Sequence, residues 1–178
     1  MKTAMMRKTI ARTGLAGLLA SALLVHAAPA FALGDDTPAT PTCKRGEVYD
    51  GKLKKCVKRA AANLTDDALS DYAYALAKAA RFEESLEVLD TLKQPHTAKA
   101  LNYRGYATRK LGRTEEGIGY YLQSVKLDPR YARVREYLGE AYVIQGKPDL
   151  ARQQLAVIET LCGTSCEEYR DLKEALVD

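Results

Sequence analysis

Two stretches of sequence decide the fold: AKALNYRGYATRKLG at residues 98–112 and ARVREYLGEAYVIQG at residues 132–146. Gly105 and Gly139 lie 34 residues apart, as do Gly112 and Gly146. Each stretch has the length and composition of one helix, and a glycine stands where that helix would end. A fixed period of this length is typical of stacked pairs of helices.

The residues that follow each stretch resemble the tetratricopeptide repeat (TPR) family. In the repeat at 98–131, Leu101 stands at the first large apolar position, and Gly117 takes the small position of the second helix. Tyr121 takes the aromatic position of the second helix, and Pro129 ends the repeat. The resemblance implies that Gly105 and Gly139 face the second helix of their own hairpins.

A second and a third copy flank this repeat. The copy at 132–161 matches the family pattern at Leu138, Gly139, Tyr142, Gly146, Ala151 and Leu155. The copy at 66–97 is weaker, since alanine replaces both glycines, and Thr65 is placed to cap its first helix. The resemblance covers about residues 66–161, within a repeat region of 64–161. It implies an all-α, TPR-type α-solenoid of about three helical hairpins.

The last residues, 162–178, predict one more helix. Gly163 can end the preceding helix, and Thr164 or Ser165 can cap the next one. Its apolar face would consist of Tyr169, Leu172, Leu176 and Val177. A stack of repeats needs a terminal cap with a polar outer side, and we expect this helix to be that C-terminal capping helix.

Residues 43–59 have a different pattern, that of a small β-hairpin ahead of the repeats. Glu47–Tyr49 and Leu53–Val57 are short strand-like runs, and Asp50-Gly51 between them suits the positive φ angles of a tight turn. A bond between Cys43 and Cys56 would stabilise this loop by on the order of 3 kcal/mol. We expect a disulfide-closed module that is independent of the helices.

The amino-terminal segment has the three parts of a secretory signal peptide. A basic start without acids precedes an apolar run from Gly14 to Val25, and small residues stand at Ala30 and Ala32. We expect a signal peptide at 1–32, a flexible linker at 33–42 and a periplasmic or secreted protein. The apolar run is shorter than the roughly 20 residues that span a bilayer, so we expect no membrane segment after cleavage.

All four cysteines follow this leader, and an oxidising compartment favours disulfides. Of the three possible connectivities, local pairing of Cys43 with Cys56 and of Cys162 with Cys166 is the simplest. Zinc is disfavoured because these spacings match no common zinc pattern and His96 is the one histidine after the leader. We therefore expect no metal.

The net charge of the chain gives no indication of nucleic acid as a partner, and we expect none. The 27 basic residues less the four of the leader leave 23, which equals the 23 acidic residues. Seven basic residues and two acids fall between Cys43 and Arg59, so this small segment is strongly basic.

No pattern in the sequence indicates catalysis or a cofactor. The chain has no phosphate-binding glycine loop, and its paired acids stand at predicted helix starts, where they suit the helix dipole. Thiol–disulfide exchange at Cys162 and Cys166 is the alternative enzymatic hypothesis. We favour a structural disulfide there, because the pair is not a C-x-x-C motif beside a βαβ unit.

The TPR resemblance implies a peptide-binding concave groove lined by the first helix of each repeat. Its centre maps to Lys78, Asn102, Tyr106, Arg109, Lys110 and Arg133. This set is similar to the carboxylate clamp of some TPR proteins, although the first repeat lacks the clamp's asparagine. Arginine holds carboxylates bidentately, and tyrosine adds apolar area at low entropic cost.

We therefore expect an adaptor or scaffold that binds a protein with an acidic segment or C-terminus. The tail and the hairpin also resemble segments of exported TPR proteins of Gram-negative bacteria. Two alternatives stay open for the charges: the groove residues are ordinary solvated charges, or the basic hairpin docks to anionic envelope polymer or lipid headgroups. If the groove is the site, Arg109 and Arg133 face solvent, and reversing their charges should leave the fold intact.

Overall fold

The computed structural model describes residues 40–177; the predicted leader (1–32) and the linker residues 33–39 lie outside this range. The elements are β1 (Glu47–Asp50), β2 (Lys55–Lys58), a 3-10 turn (Arg59–Ala61), α1 (Asp66–Lys78), α2 (Phe82–Leu89), α3 (Ala98–Lys110), α4 (Thr114–Leu127), α5 (Ala132–Ile144), α6 (Pro148–Cys162) and α7 (Glu167–Ala175). The described part of the chain is therefore mostly helical, with seven α-helices and one antiparallel hairpin. No helix within 40–177 is both long and apolar enough to span a bilayer.

Helices α1, α3 and α5 end in the same way. Each is followed by a residue in the left-handed region: Ala80 at φ 59°, Gly112 at φ 84° and Gly146 at φ 68°. The next N–H then donates a hydrogen bond back to a carbonyl in the last turn, as from Arg81 to Leu76 at 2.9 Å and from Lys147 to Tyr142 at 2.8 Å. This geometry ends the helix and reverses the chain, so the second helix of each pair begins at once.

Replacing Ala80 with glycine is expected to raise the free energy of unfolding by about 0.5–1 kcal/mol. A left-handed conformation costs an L-residue roughly 1–2 kcal/mol, and glycine avoids this cost. Glycine also loses roughly 0.5–1 kcal/mol more backbone entropy on folding than alanine, which offsets part of the gain. Urea denaturation measures the change. The matched control is Ala79→Gly at φ −85°, which should destabilise the protein. A loss of stability in Ala80→Gly would contradict the strain at this turn.

Glycines let the helices approach closely. A Cβ on Gly105 would lie 2.6 Å from the Tyr121 ring and 3.0 Å from the Gly117 oxygen, so Gly105 faces the second helix of its own pair, as expected. The same expectation for Gly139 is wrong. A Cβ there would lie 2.5 Å from Leu172 in α7, because α7 packs back on α5 and places its fully buried leucine against the glycine.

The final helix has Cys166 as its N-cap rather than Thr164 or Ser165, the two predicted caps, while Gly163 ends α6 at φ 80°. Leu172 is fully buried among residues of α5 and α6, which agrees with the role of a cap. Val177 does not belong to the apolar face, because it lies beyond the end of α7 and is 82% exposed.

Both local disulfides are present. Cys43 is bonded to Cys56 with the Cα atoms 5.7 Å apart, and Cys162 to Cys166 with the Cα atoms 5.9 Å apart. The first bond joins the start of the hairpin to β2, and the second joins the end of α6 to the start of α7. The predicted pairing is therefore confirmed.

The hairpin is not the independent module that we expected. Val48 is fully buried in one cluster with Tyr72 and Leu76 of α1. The Cys43 N–H donates to the Tyr72 hydroxyl at 2.9 Å, and the Arg81 guanidinium donates to the Cys43 carbonyl at 2.6 Å. A two-stranded hairpin is marginal alone, and this one gains its support from the first helical pair as well as from its disulfide.

The hairpin turn also differs from the prediction. It spans four residues, Gly51–Lys54, and the positive φ falls at Lys54 (50°) rather than at Gly51. The Asp50 carboxylate accepts hydrogen bonds from the N–H groups of Lys52 at 2.9 Å and Leu53 at 3.0 Å. This side-chain contact stabilises a wider turn than the Asp-Gly pair indicates by itself.

Candidate functional site

Four tyrosines of α1, α3 and α5 form one contact group, which we call the tyrosine cluster: Tyr74, Tyr103, Tyr106 and Tyr137. The Tyr74 ring stacks on Tyr103 with centroids 4.5 Å apart and meets Tyr106 edge-on at 5.9 Å. Tyr106 lies 5.0 Å from Tyr137, whose hydroxyl oxygen is 2.7 Å from that of Tyr74. The cluster thereby links the first helices of three successive pairs.

Four of the predicted cationic residues surround this cluster. The Lys78 ammonium lies 5.9 Å from the centre of the Tyr74 ring, and the Arg133 guanidinium lies 6.0 Å from the centre of the same ring. Lys110 and Arg109 lie 5.5 Å and 5.7 Å from the centre of Tyr106. These are cation–π distances, so five of the six predicted groove residues come together here.

The cations around the cluster repel one another. Burial and the positive charges of Arg109 and Lys78 lower the pKa of Lys110, although Glu140 opposes the effect. An anion bound beside Lys110 would relieve this repulsion. The surface therefore combines aromatic rings with the exposed positive charges of Lys78 and Lys110, which suits a carboxylate next to an apolar group.

Contrary to the expectation, Arg109 does not face solvent, because only 5% of the residue is exposed. Its guanidinium donates to the Glu140 carboxylate at 2.5 Å and to the Tyr121 hydroxyl at 3.3 Å. A Cβ on Gly117 would lie 3.0 Å from the Arg109 Cβ, so α4 covers the base of this side chain. Arg109 thus joins α3 to α4 and α5 as a buried residue, rather than forming part of the exposed surface.

Asn102 and Arg133 differ in their access to solvent. Asn102 is fully buried and donates to the Tyr131 hydroxyl at 3.1 Å, which ties α3 to the residue that precedes α5. The clamp-like role therefore does not extend to Asn102. Arg133 is partly exposed and lies 3.8 Å from Glu167 and 4.0 Å from Glu168, at the outer limit of ion pairing.

Sequence reasoning missed the importance of Glu136 on α5. Only 5% of this residue is exposed, and its carboxylate has no hydrogen bond or ion pair with any described residue. Burial raises its pKa to about 9, with further contributions from Glu140, Asp171 and Glu168 against the opposing charge of Arg133. The residue stands at an ordinary groove position of the TPR pattern, so no sequence signal separates it from a solvated glutamate.

Comparison with known proteins gives the fold alone. No protein-family model matches the chain, and no curated protein matches it. A solved structure of the type III secretion translocator chaperone SycD from Yersinia enterocolitica, in an alternative dimer, is similar with a TM-score of 0.54 and 16% identity. The similarity covers 67% of this chain and 91% of that chain. The described helices therefore share the TPR-like helical fold of a secretion chaperone.

Proposed function

We propose that this protein is a non-enzymatic adaptor or scaffold of the bacterial cell envelope that binds a segment of another protein on the tyrosine cluster. In this proposal, the helical pairs form a TPR-type solenoid, and α1, α3 and α5 line its concave groove. The leader directs export to the periplasm or beyond, where both disulfides can form.

The observation that carries the proposal is the meeting of half-buried tyrosines and cations on one face. Lys78 and Lys110 are exposed, and Tyr74 and Tyr106 are partly exposed beneath them. Tyrosine and arginine are the residue types that dominate binding energy at protein interfaces. The similar SycD is itself a chaperone of translocators, which agrees with a protein as the ligand.

The chemistry of this face favours an acidic segment with an apolar or aromatic neighbour. Carboxylates of the ligand would meet Lys78, Lys110 and Arg133, and its apolar group would lie on the rings of Tyr74 and Tyr106. Glu140 on α5, the partner of Arg109, brings negative charge to the α5 side of the cluster. The acidic end of the ligand should therefore lie toward α1 and α3.

Reversing two charges at this face, in Lys78→Glu/Lys110→Glu, is expected to weaken partner binding at least a hundredfold. Each charge-assisted hydrogen bond to a carboxylate contributes about 1.5–3 kcal/mol, and about 1.4 kcal/mol corresponds to one decade of affinity. The partner is captured from envelope extract with the unaltered protein, and its Kd for each variant is measured by calorimetry.

The matched control is Lys126→Glu/Lys147→Glu, which makes the same change of charge at two exposed lysines, one in α4 and one at the N-cap of α6. It should leave the Kd within about twofold, since distant surface charges contribute little to binding. Equal affinity of the partner for the Lys78→Glu/Lys110→Glu protein and for the original would refute the site.

A further inference from the structure

The seven basic residues of segment 43–59 divide into two groups. Arg45 forms an ion pair with Glu87 of α2, and Arg59 lies 4.0 Å from the same carboxylate. These two arginines link the hairpin to α2 through Glu87. The other five are exposed and form no ion pair with any residue in 40–177: Lys44, Lys52, Lys54, Lys55 and Lys58.

An apolar side chain stands at the tip of this lysine-rich segment. Leu53 lies in the turn between Lys52 and Lys54 and is 57% exposed. The Asp50 carboxylate holds the backbone of this turn through the N–H groups of Lys52 and Leu53. The tip is therefore a defined turn that presents one leucine next in sequence to Lys52, Lys54 and Lys55.

We propose that the hairpin tip binds the surface of an anionic phospholipid bilayer. Lysine ammonium groups bind phosphates as point charges, and a bilayer offers them a plane of phosphates. Directly beneath that plane lies the apolar layer that Leu53 can enter. Nucleic acids and acidic polymers offer the charge without this apolar layer, so the leucine favours the bilayer.

This binding is independent of the tyrosine cluster. The lysines belong to the hairpin, whereas the cluster lies on α1, α3 and α5. Each basic residue held at an anionic surface strengthens binding by about fivefold, so three lysines together contribute about a hundredfold. Burial of one leucine side chain adds about tenfold.

The test is co-sedimentation with vesicles of phosphatidylcholine that contain about one third phosphatidylglycerol. The exported protein is used, with its N-terminus determined by mass spectrometry, so that the leader does not contribute. Lys52→Gln/Lys55→Gln/Lys58→Gln neutralises three lysines without touching Lys54, whose φ of 50° is part of the turn. The matched control is Lys93→Gln/Lys126→Gln/Lys147→Gln, at three exposed lysines outside the hairpin.

We expect the original and control proteins to sediment with the anionic vesicles and the hairpin variant to bind about a hundredfold more weakly. Leu53→Ser should weaken binding about tenfold, and vesicles of pure phosphatidylcholine should bind none of the proteins. No binding of the original protein, or equal binding of the hairpin and control variants, would overturn the proposal. Unchanged binding of Leu53→Ser would overturn it in favour of a purely charged ligand such as an acidic polymer.

Discussion

Reversing the charge of Arg109 to glutamate is expected to lower the free energy of unfolding by about 3–5 kcal/mol. This guanidinium is almost fully buried and bonds to both Glu140 and Tyr121. Removing one partner of a buried ion pair leaves an uncompensated charge, and that loss is typically about 3–5 kcal/mol. Urea denaturation with both disulfides intact measures the change.

A double replacement separates the pair from the packing around it. Arg109→Met/Glu140→Met removes both charges and keeps the apolar volume, so its stability should lie within about 1.5 kcal/mol of the original. A loss below about 1 kcal/mol in Arg109→Glu would mean that the side chain faces solvent. Arg109 would then belong to the binding surface itself, as the sequence alone indicates.

Replacing Glu136 with glutamine is expected to stabilise the protein by about 2–3 kcal/mol at neutral pH. The carboxyl group is buried without an ion pair, and Glu140, Asp171 and Glu168 add negative charge around it. Burial raises its pKa from 4.5 to about 9, so the group is protonated in the folded protein at neutral pH. Glutamine is neutral in the folded and unfolded states and avoids this cost.

The pH dependence of stability tests the same carboxyl group. Below about pH 4.5 it is protonated in both states, so its contribution to stability is fully present. As the pH rises toward about 9, the unfolded chain ionises while the folded protein stays protonated, and stability falls by up to about 1.4 kcal/mol per pH unit.

The difference in stability between Glu136→Gln and the original should therefore grow across this range and then level off. The matched control is Glu140→Gln, one turn further along α5, which should destabilise the protein because Glu140 is the partner of Arg109. A difference that does not change with pH would show that Glu136 ionises normally.

Much of the fold could be predicted because the sequence signals that determine it, such as caps and helix-ending glycines, are local. The glycines that end α3, α5 and α6 have positive φ angles, and Thr65 accepts the Ala68 N–H at 3.2 Å as the predicted cap. Local spacing also predicted both disulfides. The contact between Gly139 and Leu172 joins α5 to α7, and no local pattern indicates which distant helix returns to which glycine.

The candidate site was predicted only in part, for a similar reason. The family pattern places Lys78, Tyr106, Lys110 and Arg133 on one face, and the structure brings them to one cluster. The pattern gives no information on burial, which depends on what packs from other helices. Gly117 allows α4 to cover Arg109, so this residue, which was expected at the surface, is buried. Helix α7 brings acidic residues toward Glu136, and together with burial they raise the pKa of that carboxyl group.

The tyrosine cluster gives this protein a built-in optical reporter. The chain has no tryptophan and 11 tyrosines, so its near-ultraviolet absorption and emission come chiefly from tyrosine. Four of those rings touch one another on the proposed binding face, where their mutual orientation gives each ring a chiral environment. A ligand that binds against Tyr74 or Tyr106 should change the near-ultraviolet circular dichroism of the cluster, so ligand binding can be followed in the unlabelled protein.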